Sequence, residues 1–260
     1  DGSGAAIGTG PFRLARLDPG QRAVFTANPD HWAGRPFLDS VEIAMGRTAR
    51  EQWIDLEVGK ADVVELAPAE ARRAAERGRP VWSSAPIVLL AVAFEEGRPA
   101  DKRLREALAL SIDRIAIHNV LLQRRGEISS ALLPQWLSGH EFLFRSEPDL
   151  DRARRLARGI PPAARALTLA YPAGEPLARA IAERIAVNAR DAGLAVHVSA
   201  RHQRPDARLL MLPLASPDPG QALVECAAAL GYPDWPRQDT PAVLYDSERA
   251  LLEDGRVVPL

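Results

Sequence analysis

Residues 101–123, DKRLREALALSIDRIAIHNVLLQ, form the most strongly patterned stretch of the chain, and the rest is read outward from it. At about 100° per residue, Leu104, Ala107, Leu108, Ser111, Ile112, Ile115 and Leu122 fall on one side. Lys102, Arg105, Glu106 and Asp113 fall on or toward the other. That spacing predicts one core-facing amphipathic helix over 101–123. Asp101, just after Pro99, is suited to cap it, because its carboxylate can accept a bond from an otherwise unpaired first-turn amide. Gly126 stands close behind the far end. His118 lies on the apolar side with no carboxylate one turn away, and so reads as a hydrogen-bonded core histidine and not as a ligand or catalyst.

A chain of 260 residues is long enough to bury a core without disulfides or metals, as one large domain or two lobes. Thirty-three basic side chains against 34 acidic ones leave a net charge of −1, so no electrostatic footprint for nucleic acid is present. The longest apolar run, residues 85–94, contains Pro86 and falls far short of the ~20 residues a membrane-spanning helix needs. Cys226 is the sole cysteine and excludes an internal disulfide.

Phe12 to Leu17 and Arg22 to Ala27 alternate in character about Asp18-Pro19-Gly20-Gln21, which predicts a hairpin with a tight turn. A strand over 38–45, a helix over 47–58, a short strand over 61–66 and a second helix opened by Pro68 follow. Ile87 to Val92 is continuously apolar and predicts a strand buried on both faces, with a lobe crossover placed there. Residues 129–148 show no clear period and read as a long packed loop containing Trp136 and Phe142. Strand 167–171, helix 176–192 and strand 194–198 make a β-α-β unit. A strand over 207–214, a helix over 221–230, a proline-rich loop, a helical turn over 247–253 and a strand over 256–260 complete the chain.

Searches for chemistry return little. There is no phosphate-binding glycine loop, no G-x-S-x-G elbow, no H-E-x-x-H and no cysteine pair, so no enzyme, cofactor or metal centre is indicated. The histidines at 31, 118, 140, 197 and 202 are scattered.

Gly8 to Ile43, GTGPFRLARLDPGQRAVFTANPDHWAGRPFLDSVEI, carries an ordered set of features: a GTGPF strand, a P-G turn, an N-P-D-x-W loop, a G-x-P and another strand. This set resembles extracellular solute-binding protein family 5, the dipeptide, oligopeptide and nickel binders of ABC importers. Phe94-Glu95, the D-K-R-L-R-E-A-L run from Asp101 and S-I-D-R at 111–114 resemble that family's F-N strand end, its D-x-R-V-R-Q-A-L helix and its A-I-D-R. Y-P-A-G-E-P at 171–176 and V-V-P-L at 257–260 are similar to its Y-P-x-G-x-P helix start and its I-P-L strand.

The resemblance implies a two-lobe α/β fold of the type II periplasmic-binding-protein kind, with mixed sheets flanked by helices. Relative to the family the chain looks truncated. Residues 1–88, with 254–260 returning, are expected to belong to the first lobe, and 89–253 to the ligand-closing lobe. A small solute, peptide-like or amine-bearing, would bind between the lobes, with hinge closure about Leu89 to Glu95. The expected partner is an ABC permease in the membrane, and the expected location is periplasmic or extracellular. A ligand-sensing domain of a transcription regulator is the alternative reading. The residues expected at the ligand are Glu95, Trp136, Tyr171, Glu175 and Asp218, each in a loop or at the end of a core element. Two aromatics would give flat apolar contact and three carboxylates would favour a cationic solute. Leu214-Ala215-Ser216-Pro217-Asp218-Pro219 resembles the A-D-Y-P-D-P turn with which peptide binders of the family grip the amino end, but Ala215 stands where the first acid belongs.

Overall fold

The computed structural model describes residues 8–85, 87–99, 101–139, 147–201 and 203–260. His140, Phe142 and His202 therefore lie outside the described residues. The chain divides into two compact units after Ala67.

The first unit is a three-stranded antiparallel sheet, β1 (Phe12–Asp18), β2 (Arg22–Ala27) and β3 (Ser40–Ala44), followed by helix α1 (Ala49–Glu57). The predicted turn forms: Gln21 donates its amide to the Asp18 carbonyl at 3.0 Å, and Gly20 takes φ +72°. Helix α1 opens on a capping box. The Thr48 hydroxyl accepts from the Glu51 amide, and the Glu51 carboxylate accepts from the Thr48 amide at 2.8 Å. The strand expected over 61–66 is absent. The amides of Lys60 and Ala61 are drawn to the Asp55 carbonyl and that of Glu65 to the Gln52 side chain, so this stretch bonds to α1 and leaves no ladder to join.

The second unit is built on a five-stranded mixed sheet of order β6-β5-β7-β4-β8: β4 (Val88–Phe94), β5 (Ala166–Ala170), β6 (Ala195–Ser199), β7 (Ala207–Pro213) and β8 (Val257–Pro259). β5 pairs in parallel with both β6 and β7, and β4 pairs antiparallel with both β7 and β8. Strand alternation sorts the side chains into two cores. Val92, Phe94, Leu167, Leu169 and Leu209 face one way, toward helices α3 (Lys102–Ser111), α6 (Leu150–Arg158) and α7 (Pro176–Asp191). Leu89, Ala91, Ala93 and Val257 face the other way, toward α8 (Pro219–Ala229) and α9 (Pro241–Glu253). Apolar burial on both faces of β4 is what its unbroken hydrophobic run predicts.

The reading of the central helix needs correction. The central helix is not one piece. It stops at Ser111, whose hydroxyl donates back to the Leu108 carbonyl at 2.7 Å, and Ile112 is extended with ψ 117°. Asp113 then caps a new turn, α4 (Arg114–Ala116), which runs on as a wider π-type turn over Ile117–Leu121. The offset this introduces leaves Ile115 54% exposed. His118 is hydrogen-bonded, to the Gly126 carbonyl at 3.2 Å, but only half-buried. The compact units part at Ala67: Arg72 of α2 (Pro68–Glu76) bonds Gln123 and Arg125 bonds Ser83, which ties 68–85 to the second unit, and β8 joins that unit's sheet. Residues 89–94 of the expected hinge lie in β4, which is paired on both sides. Within the loop expected over 129–148, a short helix α5 (Gln135–Ser138) carries Trp136.

Candidate functional site

The sheet of the second unit has a polarity that picks out one edge. β5, β6, β7 and β8 all end there, and β4 begins there. In this order the connection after β5 runs to β6 on one side and the connection after β7 runs to β8 on the other, so the winding reverses between β5 and β7. α7, after β5, packs on one face; α8, after β7, packs on the other. In open α/β sheets this reversal opens a crevice outside the carboxyl ends of the strands. β5 is also short. Its last residue, Ala170, pairs with Arg208, and β7 continues to Pro213 beside the gap.

The turn from β5 into α7 supplies two of the expected residues. Tyr171 is half-buried against the core, and its amide donates to the Ser199 carbonyl at 3.1 Å. Gly174 takes φ +85°, which reverses the chain so that Glu175 occupies the N-cap and Pro176 the first helical position. Glu175 is exposed, and its carboxylate makes no capping bond at the N-terminus of α7. Arg179, one turn on, bonds Glu183 at 2.8 Å. That bond raises the guanidinium pKa, and the nearby Tyr171 adds to the rise.

Asp218 lies past the carboxyl end of β7 and caps α8, accepting the Gln221 amide at 2.7 Å and facing Arg237 at 3.4 Å. The approach is close here. A Cβ built on Gly220 would lie 2.2 Å from the Gln238 carbonyl oxygen, so no larger residue fits without moving that loop. Ala215 is exposed. Trp136 on α5 is 49% exposed, while its neighbour Leu137 is buried in the core that includes α8. Glu95 stands apart. It follows the last residue of β4, opposite the start of β7, and is ion-paired with Arg208. β7 separates its level from that of Asp218 by about 20 Å of strand. Tyr171 and Glu175 thus share a turn, Asp218 caps a helix beyond the same edge, and Glu95 sits at the opposite one.

One functional-looking residue escaped the sequence reading. Glu248 is 0% exposed, and its carboxylate accepts the amides of both Leu132 and Leu133, which fastens the approach to α5 onto α9. The signal was an acid between Leu244 and Leu251 on the buried face of α9. Among the described residues, no group of three or more His, Cys, Asp or Glu side chains is placed to hold a metal ion.

The chain is 28% identical over 127 residues to the oligopeptide-binding protein AppA of Bacillus subtilis, a match covering 47% of this chain and 23% of that protein. Its fold resembles that of NikA from Brucella suis, solved with Fe(III)-EDTA, with a TM-score of 0.75 at 18% identity, covering 97% of this chain and 62% of that one. It also resembles a dipeptide-binding protein from Pseudoalteromonas sp. SM9913, solved with Met-Leu, with a TM-score of 0.69 at 17% identity, covering 96% and 58%. The architecture is that of type II periplasmic binding proteins, and the chain spans less than two thirds of these relatives. Residues 1–211 match the bacterial extracellular solute-binding proteins, family 5. Together with the mixed five-stranded sheet and the β5–α7 turn, that match shows that the chain belongs to the family 5 extracellular solute-binding proteins.

Proposed function

We propose that this chain contributes to the solute-binding component of an ABC importer, working outside the cytoplasmic membrane and handing its solute to a permease. The observation that carries the site is the pairing of Tyr171 with the uncapped Glu175 in the β5–α7 turn, at the point where the sheet reverses its winding. Tyr171 offers an aromatic face with a hydroxyl edge, and Glu175 a carboxylate that selects an amine or another cationic group. Asp218 and Trp136 complete the lining: the first keeps one face toward Arg237, the second gives apolar contact. Glu95 serves as the ion-pair partner of Arg208 and stays outside this lining.

The bound solute is a peptide or a small amine-bearing compound. AppA and the Pseudoalteromonas protein are named for peptides, and the carboxylates here suit an amino terminus. Ala215 supplies no acid, so recognition of that amine falls to Glu175 and Asp218. Binding acts by favouring one arrangement of the protein over another through differential affinity, with no bond made or broken.

A thermal-shift screen of di- and tripeptides and small amines tests this reading, with Tyr171→Ala and Glu175→Gln measured against each hit. We expect both variants to stay folded and to weaken binding by about tenfold or more, the equivalent of one charge-assisted contact. Unchanged affinity in both would place the site elsewhere.

A further inference from the structure

A cavity of about 370 Å³ runs along β8, the edge strand of the second unit. Helix α3 forms its other wall with Lys102, Arg105, Glu106 and Ala109, spaced i, i+3, i+4 and i+7 and so on one face. Arg114 closes one end. This side chain is 6% exposed and donates from Nε to the Pro259 carbonyl at 2.8 Å. Burial pushes its pKa down to about 10, which still leaves it charged at neutral pH.

The charges around this cavity are not matched within it. Lys102 donates to the Glu253 carbonyl at 3.3 Å and Arg105 to the Pro99 carbonyl at 2.9 Å; among the described residues neither is hydrogen-bonded to a carboxylate, and Asp101 attracts Arg105 only at a distance. Arg105 Nε is buried with no acceptor at all there. The two acids of the lining are committed elsewhere. Glu106 is ion-paired with Arg152 of α6, and Glu253 faces Arg249 at 3.7 Å. The volume suits a small ligand.

We propose that this cavity binds a small oxyanion, a phosphate or a short dicarboxylate, held by Lys102 and Arg105. The site is separate from the solute crevice, since β7 and β4 stand between β8 and β5. A phosphate or carboxylate in the cavity meets the charges of Lys102 and Arg105 in the same step.

The test is isothermal titration at constant ionic strength with two probes, inorganic phosphate and malonate, against chloride as the control ion. We expect saturable one-site binding of at least one probe, and which of them binds identifies the oxyanion class. Lys102→Gln and Arg105→Gln should each weaken it by about tenfold, and the double variant should abolish it. Lys102 is exposed, so Lys102→Gln keeps the fold and decides the matter even where Arg105→Gln does not fold. The proposal is overturned if neither probe gives saturable binding, or if Lys102→Gln binds with unchanged affinity.

Discussion

In the first unit, Ala23 is the only fully buried apolar side chain among the described residues, while Trp32, Phe37, Leu38, Val58 and Val63 stand exposed. The second unit buries two clusters of large aliphatic side chains, one on each face of its sheet. The two regions hold their secondary structure by different means. In the first, local devices predominate: a four-residue turn, a capping box and ion pairs such as Arg22 with Glu42. Such contacts are worth about 0.5–2 kcal/mol for a cap and less than about 1 kcal/mol for an exposed ion pair. In the second, burial predominates, at about 1.5–3 kcal/mol for each fully buried aliphatic side chain. Sequence punctuation is therefore enough to place the elements of the first unit, whereas those of the second are stable because of what covers them.

The largest effect expected from this contrast comes from emptying the second core. Leu108 is 0% exposed in the cluster formed by α3, α6, α7 and the sheet. Leu108→Ala should cost about 2–5 kcal/mol in denaturant unfolding, with a cavity left behind. Leu17→Ala, at a side chain 51% exposed on β1, should stay within about 0.5 kcal/mol. Similar losses at the two positions would break the comparison.

A smaller effect should appear at the first unit's helix. Thr48→Ala removes the capping bond to the Glu51 amide and the hydroxyl that steadies the Glu51 carboxylate, and should cost about 1 kcal/mol. Because α1 buries no residue fully, little else compensates. Amide exchange in 49–57 should quicken in the variant while β4 and β7 keep their protection. A loss spread evenly over both units would show that they unfold together.

How much of this was legible in the sequence differs between the regions for the same reason. The D-P-G-Q turn, the strands beside it, the Pro68 and Pro176 helix starts and the twice-buried β4 were all readable, because each rests on local chemistry or on a simple period. The break at Ile112 was not read, although Asp113 has the chemistry of a cap. The apolar spacing across it continues well enough to imitate one helix, and the turn after it is stabilised by tertiary contact, with the Asn188 side chain accepting the Asp113 amide. Of the proposed site, Tyr171 and Glu175 were legible only as a turn at a helix start. The placement of Glu95 was not, since which end of a strand faces a crevice depends on sheet order, and sheet order is nonlocal. Glu248 and the wall formed by Lys102 and Arg105 were hidden likewise: an acid or a cation on a helix reads as solvated until its neighbours are known.

The smallest expected effect concerns the cap of α3, a device of the first unit's kind placed in the second. Asp101 accepts the Arg103 amide at 2.9 Å and a two-armed ion pair from the Arg103 side chain. The Arg103 bond is the chief cause that holds the carboxyl below its ordinary value of 3.8. A depressed folded-state pKa means that the carboxylate adds stability at pH values above 3.8, and that this share is lost as the pH falls through the lowered value. The group is partly exposed, so salt weakens the effect further. Stability measured between pH 6 and pH 2 should therefore fall slightly less steeply in Asp101→Asn than in the parent, and the difference should shrink in about 1 M salt. Asparagine also caps well, so the variant should remain folded and the comparison should isolate the charge. Identical acid limbs would mean that the ion pair with Arg103 adds nothing measurable, and that α3, like its surroundings, is held by burial alone.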